Sequence, residues 1–224
     1  MFDYYSDKLS ADRLVRVYDL ATPRVVQYLE AEIAHVRSRL GSGGEVLELG
    51  CGYGRVLNQL VDATSLICGI DTSRASLDMA RTKFPALAGA SLAVMDASRL
   101  ALRDAVFDVV VCIQNGISAF YVDQATLICE ALRVTRRGGR VMFSSYSDRI
   151  WSARLDWFYR QAAAGLLGEI DPEQTGDGTI VCRDGFTATT VRPDDFRRLC
   201  ATVGVVPEIT EIDQSSVFCE ILKA

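Results

Sequence analysis

The 224-residue sequence predicts an α/β fold, a doubly wound and mostly parallel sheet that finishes in an antiparallel pair of strands. Three observations predict it. Short apolar runs alternate with helix-patterned segments from Glu45 to Ser145. The runs are almost continuously apolar, as expected of parallel strands covered by helices on both faces. The last two runs, Val205 to Ile212 and Ser216 to Leu222, lie too close together for a crossover and read as a hairpin.

The chain opens with helices. One is expected from about Ser10 to Ala21, and a second starts at Thr22 as N-cap with Pro23 in the first helical position. Val25, Val26, Leu29, Ile33 and Val36 give the second helix an apolar stripe, and Gly41 to Gly44 ends it. Residues 1–43 therefore read as an N-terminal helical cap. Strands follow at Glu45 to Leu49, Leu66 to Ile70, Ser91 to Met95, Phe107 to Ile113 and Arg140 to Ser145. Helices are expected between them near Gly54 to Val61, Ser73 to Phe84 and Asp123 to Val134. After Ser145 the alternation breaks. Ile150 to Ala164 reads as a helix, and Gly168 to Val191 as one or two hairpins turning at Gly176-Asp177-Gly178 and Asp184-Gly185. Residues 146–192 thus form a helix-plus-hairpin insertion within a domain spanning 44–224. Pro193 to Val203 is a further helix, ended by Gly204.

Composition narrows the function classes. Apolar residues make up 49% and charged residues 24%, ordinary for a globular domain. A net charge of −5 argues against nucleic acid as the main partner. Arg133, Arg136, Arg137 and Arg140 read as a solvated helix end before Gly138-Gly139. No apolar run approaches the roughly 18 residues of a membrane span, and the N-terminus lacks the pattern of a signal peptide. Seven scattered cysteines without a C-x-x-C pair suggest reduced thiols in a cytoplasmic protein, with neither a disulfide framework nor a metal site.

The chemistry concentrates in V-L-E-L-G-C-G-Y-G-R, Val46 to Arg55. An apolar strand ends in Glu48 and runs into a turn at Gly50, Gly52 and Gly54, where a ligand can lie against bare main chain. The next strand ends in Asp71, placed to accept from ribose hydroxyls. Together they indicate a nucleoside cofactor. A dinucleotide fingerprint would need its third glycine where Arg55 stands. Plainer roles compete: Glu48 as a loop cap, Asp71 as a helix N-cap beside Thr72 and Ser73, Asp96 as a turn residue, Cys51 as a small turn filler.

In five ordered segments the chain resembles the class I S-adenosylmethionine-dependent methyltransferases, with their Rossmann-like seven-stranded sheet. The segments are E-L-G-C-G-Y-G (48–54), G-I-D-T-S (69–73), V-M-D-A-S-R-L (94–100), F-D-V-V-V-C-I-Q-N (107–115) and R-R-G-G-R-V-M-F (136–143). The resemblance implies that Gly50, Cys51 and Gly52 line the methionyl and ribose part of the cofactor. It places Glu48 at the ammonium, Asp71 at both ribose hydroxyls, and Thr72 on the adenine. Asp96 would accept from the exocyclic amine, with the Ala97 amide nearby. Gln114 and Asn115 would face the methionine moiety and the acceptor.

The acceptor is less legible. An aromatic lid of Tyr4, Tyr5 and Tyr18 would screen water and face the sulfonium. Tyr146, Trp151, Trp157, Phe158 and Phe186 would line the other side, with plain core packing as the alternative. Asn115, Tyr18 and Tyr146 are accordingly the candidates nearest the reacting atoms. The only histidine, His35, reads as exposed. Related glycine-type N-methyltransferases hold a substrate carboxylate with an arginine after the fifth strand. None stands at Phe143 to Ser147, which leaves Arg149, Arg154, Arg183 or Arg192 as substitutes. Without a strong base, magnitudes favour easily ionised acceptors. Deprotonation at pH 7 costs roughly 2 kcal/mol for a thiol and roughly 4.6 kcal/mol for an amine, against roughly 12 kcal/mol for an aliphatic alcohol. An N, S or phenolic O acceptor on a small molecule is expected. Methylation of a protein or peptide side chain, a catalytically silent cofactor-binding partner and an aminopropyl transferase are the competing readings.

Overall fold

The computed structural model describes Tyr4, residues 8–41 and residues 43–224. Nine strands are assigned among them: β1 (Gly44–Leu49), β2 (Thr64–Asp71), β3 (Ser91–Val94), β4 (Phe107–Cys112), β5 (Thr135–Tyr146), β6 (Ile180–Val181), β7 (Thr187–Ala188), β8 (Glu208–Ile212) and β9 (Ser216–Leu222). Seven form one sheet in the order β3-β2-β1-β4-β5-β9-β8. Pairing is parallel from β3 through β5, and β9 inserts antiparallel between β5 and β8. The winding direction reverses between β1 and β4, and a crevice opens beyond the carboxyl ends of strands at such a point.

The helices are α1 (Asp12–Asp19), α2 (Pro23–Arg39), α3 (Arg55–Leu60), α4 (Arg74–Lys83), α5 (Gly116–Ala119), α6 (Gln124–Val134), α7 (Trp151–Ala163) and α8 (Pro193–Thr202). Local chemistry sets several starts. The side chains of Thr22, Ser73 and Asp123 accept from the amides of Val25, Ser76 and Thr126, satisfying donors a helix leaves orphaned.

Alternate residues of each strand serve opposite layers, as the two-residue period requires. Leu47, Val110, Val141, Phe143 and Cys219 pack with Leu127, Ile128 and Ala131 of α6 and Phe196 of α8. Val46, Ile67, Val109, Val111 and Met142 pack on Ile33, Val36, Leu57 and Leu77 from α2, α3 and α4. A third core joins Val17, Val25, Tyr28 and Leu29 to Trp157, Phe158, Leu166, Ile180 and Phe186. The N-terminal helices and the segment after β5 therefore share one apolar cluster.

Some expectations change. The predicted hairpin region does hold one hairpin, β6 and β7 joined through Asp184-Gly185, but its strands are only two residues long, with isolated bridges at Ile170–Cys182 and Gly176–Thr179. Helix α6 ends at Val134, so Arg136, Arg137 and Arg140 lie on β5 instead of capping a helix. Arg136 pairs with Asp108 and Glu45, and Arg140 with Glu220. His35 is not exposed. Its Nε2 lies 2.7 Å from the buried carboxylate of Glu220, and its ring packs 4.4 Å from that of Phe218.

Candidate active site

The turn between β1 and α3 is tied down by the end of β2. Asp71 Oδ2 accepts from the Gly52 amide at 2.8 Å, and Oδ1 accepts from the Ser73 amide at 2.8 Å. The carboxylate thus fixes both the glycine turn and the start of α4. Gly50 and Gly52 have φ of +72° and +52°, in the left-handed region. A Cβ on Gly50 would collide with the Phe120 ring, and one on Gly52 would come within 2.8 Å of Leu14 Cδ2. Cys51 turns its thiol under the loop toward Gly69, as a turn filler would, and burial pushes that thiol well above its usual pKa.

Above the turn lies a cavity of about 340 Å³. It is lined by Glu48, Gly50, Cys51, Gly52, Asp71, Thr72, Asp96 and Ala97 at one end. Tyr28, Tyr146, Trp157, Phe158, Gln161 and Phe186 also line it, as do Tyr18 and Gln114. Asp96 Oδ1 accepts from the Ser98 amide and hydroxyl, so one oxygen closes a turn.

Glu48 is buried at the end of β1, and desolvation pushes its pKa up to about 8, against the pull of the Arg55 charge. Its Oε2 has no hydrogen-bond partner among the described residues, nor do Nε and Nη2 of Arg55. Both side chains line the cavity. The Arg55 guanidinium lies 4.5 Å from the centroid of the Tyr18 ring. Buried polar atoms are ordinarily satisfied, so unmatched polar atoms facing one cavity indicate a ligand that completes them.

Beyond β4, Gln114 and Asn115 both have left-handed φ, +57° and +64°, uncommon for two successive non-glycine residues. The kink is held from outside. The Gln114 amide donates to Glu32 Oε2 at 2.7 Å and to Ser144 Oγ at 2.8 Å. Tyr18 donates to Gln114 Oε1 at 3.2 Å. Glu32 also accepts from Ser216, and burial pushes its pKa up to about 7.

Of the sequence candidates, Asn115 is not among the cavity's lining residues. Its Nδ2 donates to the Thr189 carbonyl at 3.0 Å and its Oδ1 accepts from Ser145 at 2.7 Å, tying β4 to β5 and the later segment. Tyr4 packs on Phe186 and donates to Asp184 at 2.6 Å, outside the lining set. Tyr5 lies outside the described residues. None of Trp151, Arg149, Arg154, Arg183 and Arg192 lines the cavity. Arg55, Tyr28 and Gln161 do, and the sequence reading missed them. Arg55 had a signal, a cation directly after the glycine turn. Among the described residues no group of three or more His, Cys, Asp or Glu is placed to hold a metal ion.

Comparison with known proteins agrees with this architecture. Residues 46–139 match the model of a methyltransferase domain family. A probable S-adenosylmethionine-dependent methyltransferase of Mycolicibacterium smegmatis is 32% identical over 104 residues, covering 46% of this chain and 38% of that protein. The chain spans 38% and 40% of the length of the curated relatives it matches. The N-methyltransferase NodS of Bradyrhizobium japonicum, solved with S-adenosyl-L-homocysteine, superposes with a TM-score of 0.66 at 15% identity, covering 99% of both chains. Magnesium protoporphyrin IX methyltransferase of Synechocystis gives 0.66 at 19% identity, covering 99% of this chain and 97% of that one. Residues 46–139 are thus similar to a methyltransferase domain, and the chain shares the fold of these solved methyltransferases.

Proposed function

We propose that the protein is an S-adenosylmethionine-dependent methyltransferase acting on a small molecule. The observation that carries this reading is the pairing of an Asp71-braced glycine turn with unmatched Glu48 and Arg55 atoms facing the same cavity. A nucleoside bearing a zwitterionic amino-acid tail satisfies all three. Asp71 would hold the ribose hydroxyls, Glu48 the ammonium and Arg55 the carboxylate, while Gly50, Cys51 and Gly52 offer main-chain contact. Thr72, Asp96 and Ala97 would surround the adenine. When bound, the cofactor supplies an electrophilic methyl on a sulfonium, and the chain's task is alignment and water exclusion.

Tyr18 and Gln114 both line the cavity and are joined by a hydrogen bond. Tyr146 lines it as well, and burial pushes its pKa up to about 12, which keeps it a neutral donor. Helices α1 and α2 and the segment after β5 share one apolar core whose residues include Tyr28, Trp157, Phe158 and Phe186 of the lining, which favours a small acceptor over a polypeptide. An acceptor nitrogen, sulfur or phenolic oxygen suits a site whose lining, among the described residues, includes no histidine or lysine.

Calorimetric titration with S-adenosylhomocysteine tests the core of the proposal. Asp71→Ala should weaken binding by tenfold or more, the loss of about one charge-assisted hydrogen bond. Unchanged affinity would overturn the site assignment. Methyl-labelled cofactor supplied with pooled small metabolites should yield labelled small molecules and not labelled protein.

A further inference from the structure

The same cavity is lined by a cluster of aromatic side chains, a chamber that a nucleoside and its amino-acid tail leave unassigned. Its walls are rings. Tyr28 and Tyr146 lie 5.2 Å apart and 34° from parallel, Trp157 and Phe158 5.9 Å apart and nearly perpendicular, and Phe158 and Phe186 6.0 Å apart at 35°. Flat faces and edges of this kind suit a planar aromatic guest in offset or edge-on contact.

Its charge balance is as informative as its shape. Among the described residues the charged side chains lining the cavity are Glu48, Arg55, Asp71 and Asp96, all at the glycine-turn end. An aromatic box alone would also suit a cation. Here two of the lining rings, Tyr146 and Phe158, are already engaged by a cation that lies outside the lining. Arg154, 1% exposed, lies 4.1 Å from the Tyr146 ring centroid and 5.6 Å from that of Phe158. Its guanidinium donates to the carbonyls of Gly178 and Ala188 and to Thr190, so it stays outside the lining. A cationic guest would meet a fixed positive charge across those rings, and an anionic one would be desolvated without a partner.

Few polar contacts are on offer: besides Gln161, Tyr28 Oη and the Gln114 amide nitrogen line the cavity without a hydrogen-bond partner among the described residues. Gln161 is 3% exposed and lines the cavity, and its amide nitrogen has no partner among the described residues. The Trp157 indole, by contrast, is spent on the Val17 carbonyl at 2.9 Å. The chamber therefore supplies an unmatched N–H donor amid rings. We propose that this chamber is the acceptor site and selects a neutral, planar aromatic molecule whose oxygen or ring nitrogen accepts from Gln161. The acceptor role rests on the methyltransferase reading; the selection for neutral rings rests on the chamber itself.

Titration with 2-naphthol, naphthalene-2-sulfonate, (2-naphthyl)methylammonium and naphthalene, with and without S-adenosylhomocysteine, tests it. We expect 2-naphthol to bind at least tenfold more tightly than either charged compound. Gln161→Leu, close in volume and apolar, should weaken 2-naphthol about fivefold or more and leave naphthalene unchanged. Either charged compound binding as tightly as 2-naphthol, or a Gln161→Leu variant indifferent to the hydroxyl, would overturn the selection even if S-adenosylhomocysteine binds normally. Failure of S-adenosylhomocysteine itself to bind would instead overturn the acceptor role together with the methyltransferase reading.

Discussion

Arg55 occupies the position where a third glycine would make a dinucleotide site, and its guanidinium instead faces the cavity beside Glu48. The two residues bracket the place where opposite charges of an amino-acid tail would sit. 5′-Methylthioadenosine carries the same nucleoside without that tail, which makes Arg55 separately testable. Arg55→Gln should weaken S-adenosylhomocysteine by tenfold or more, the loss of at least one charge-assisted hydrogen bond, and leave 5′-methylthioadenosine within about twofold. Equal losses for both ligands would place Arg55 at the nucleoside instead. The side chain was readable as a residue but not as a role. Its function depends on Tyr18, which arrives from a different helix and holds the guanidinium at 4.5 Å. His35 was misread for the same reason, because its partner Glu220 is 185 positions away.

At the level of elements, legibility followed the strength of the local signal. Strands β4 and β9 were visible because each buries all but one residue and so is written as a mostly apolar run, while β1 and β2 carry shorter apolar cores. The four-residue α5 was invisible, since Gly116–Ala119 is too short to show a helical period. That helix matters to the glycine turn. It is followed by Phe120, whose ring fills the space a Cβ on Gly50 would take. The turn's glycines thus serve the protein's own packing as well as a ligand. Gly50→Ala should destabilise the fold by about 1–3 kcal/mol from the left-handed φ alone, which lowers Tm by roughly 2–12 °C in a domain of this size. Adding Phe120→Ala should not restore that part, because the backbone strain remains after the clash is removed. Thermal melts of the single and double variants distinguish the two contributions, and full recovery in the double variant would assign the cost to crowding.

Across the whole molecule, two buried carboxyls link the glycine turn, helix α2 and the sheet to pH. Glu32 of α2 braces the β4 end and Ser216 of β9, and Glu48 closes β1. Burial raises both from the ordinary value of 4.5, to about 7 and about 8. In the unfolded chain both ionise near 4.5, while the folded protein keeps their protons. Between that value and the folded ones the native state binds more protons, so their contribution to stability falls as pH rises and levels off above about 8. Each group in this window costs about 1.4 kcal/mol per pH unit. Unfolding free energies from denaturant titrations between pH 5.5 and 7 should therefore decline more steeply in the wild type than in Glu32→Gln, by about that slope. The slope is the decisive readout, since the substitution also alters hydrogen bonds and shifts absolute stability. Ligand binding should act on the same linkage in the opposite sense. An ammonium placed at Glu48 favours its carboxylate, so cofactor binding at pH 7 should release up to about one proton. Calorimetry in buffers of different ionisation enthalpy measures that release directly, and Glu48→Gln should abolish it.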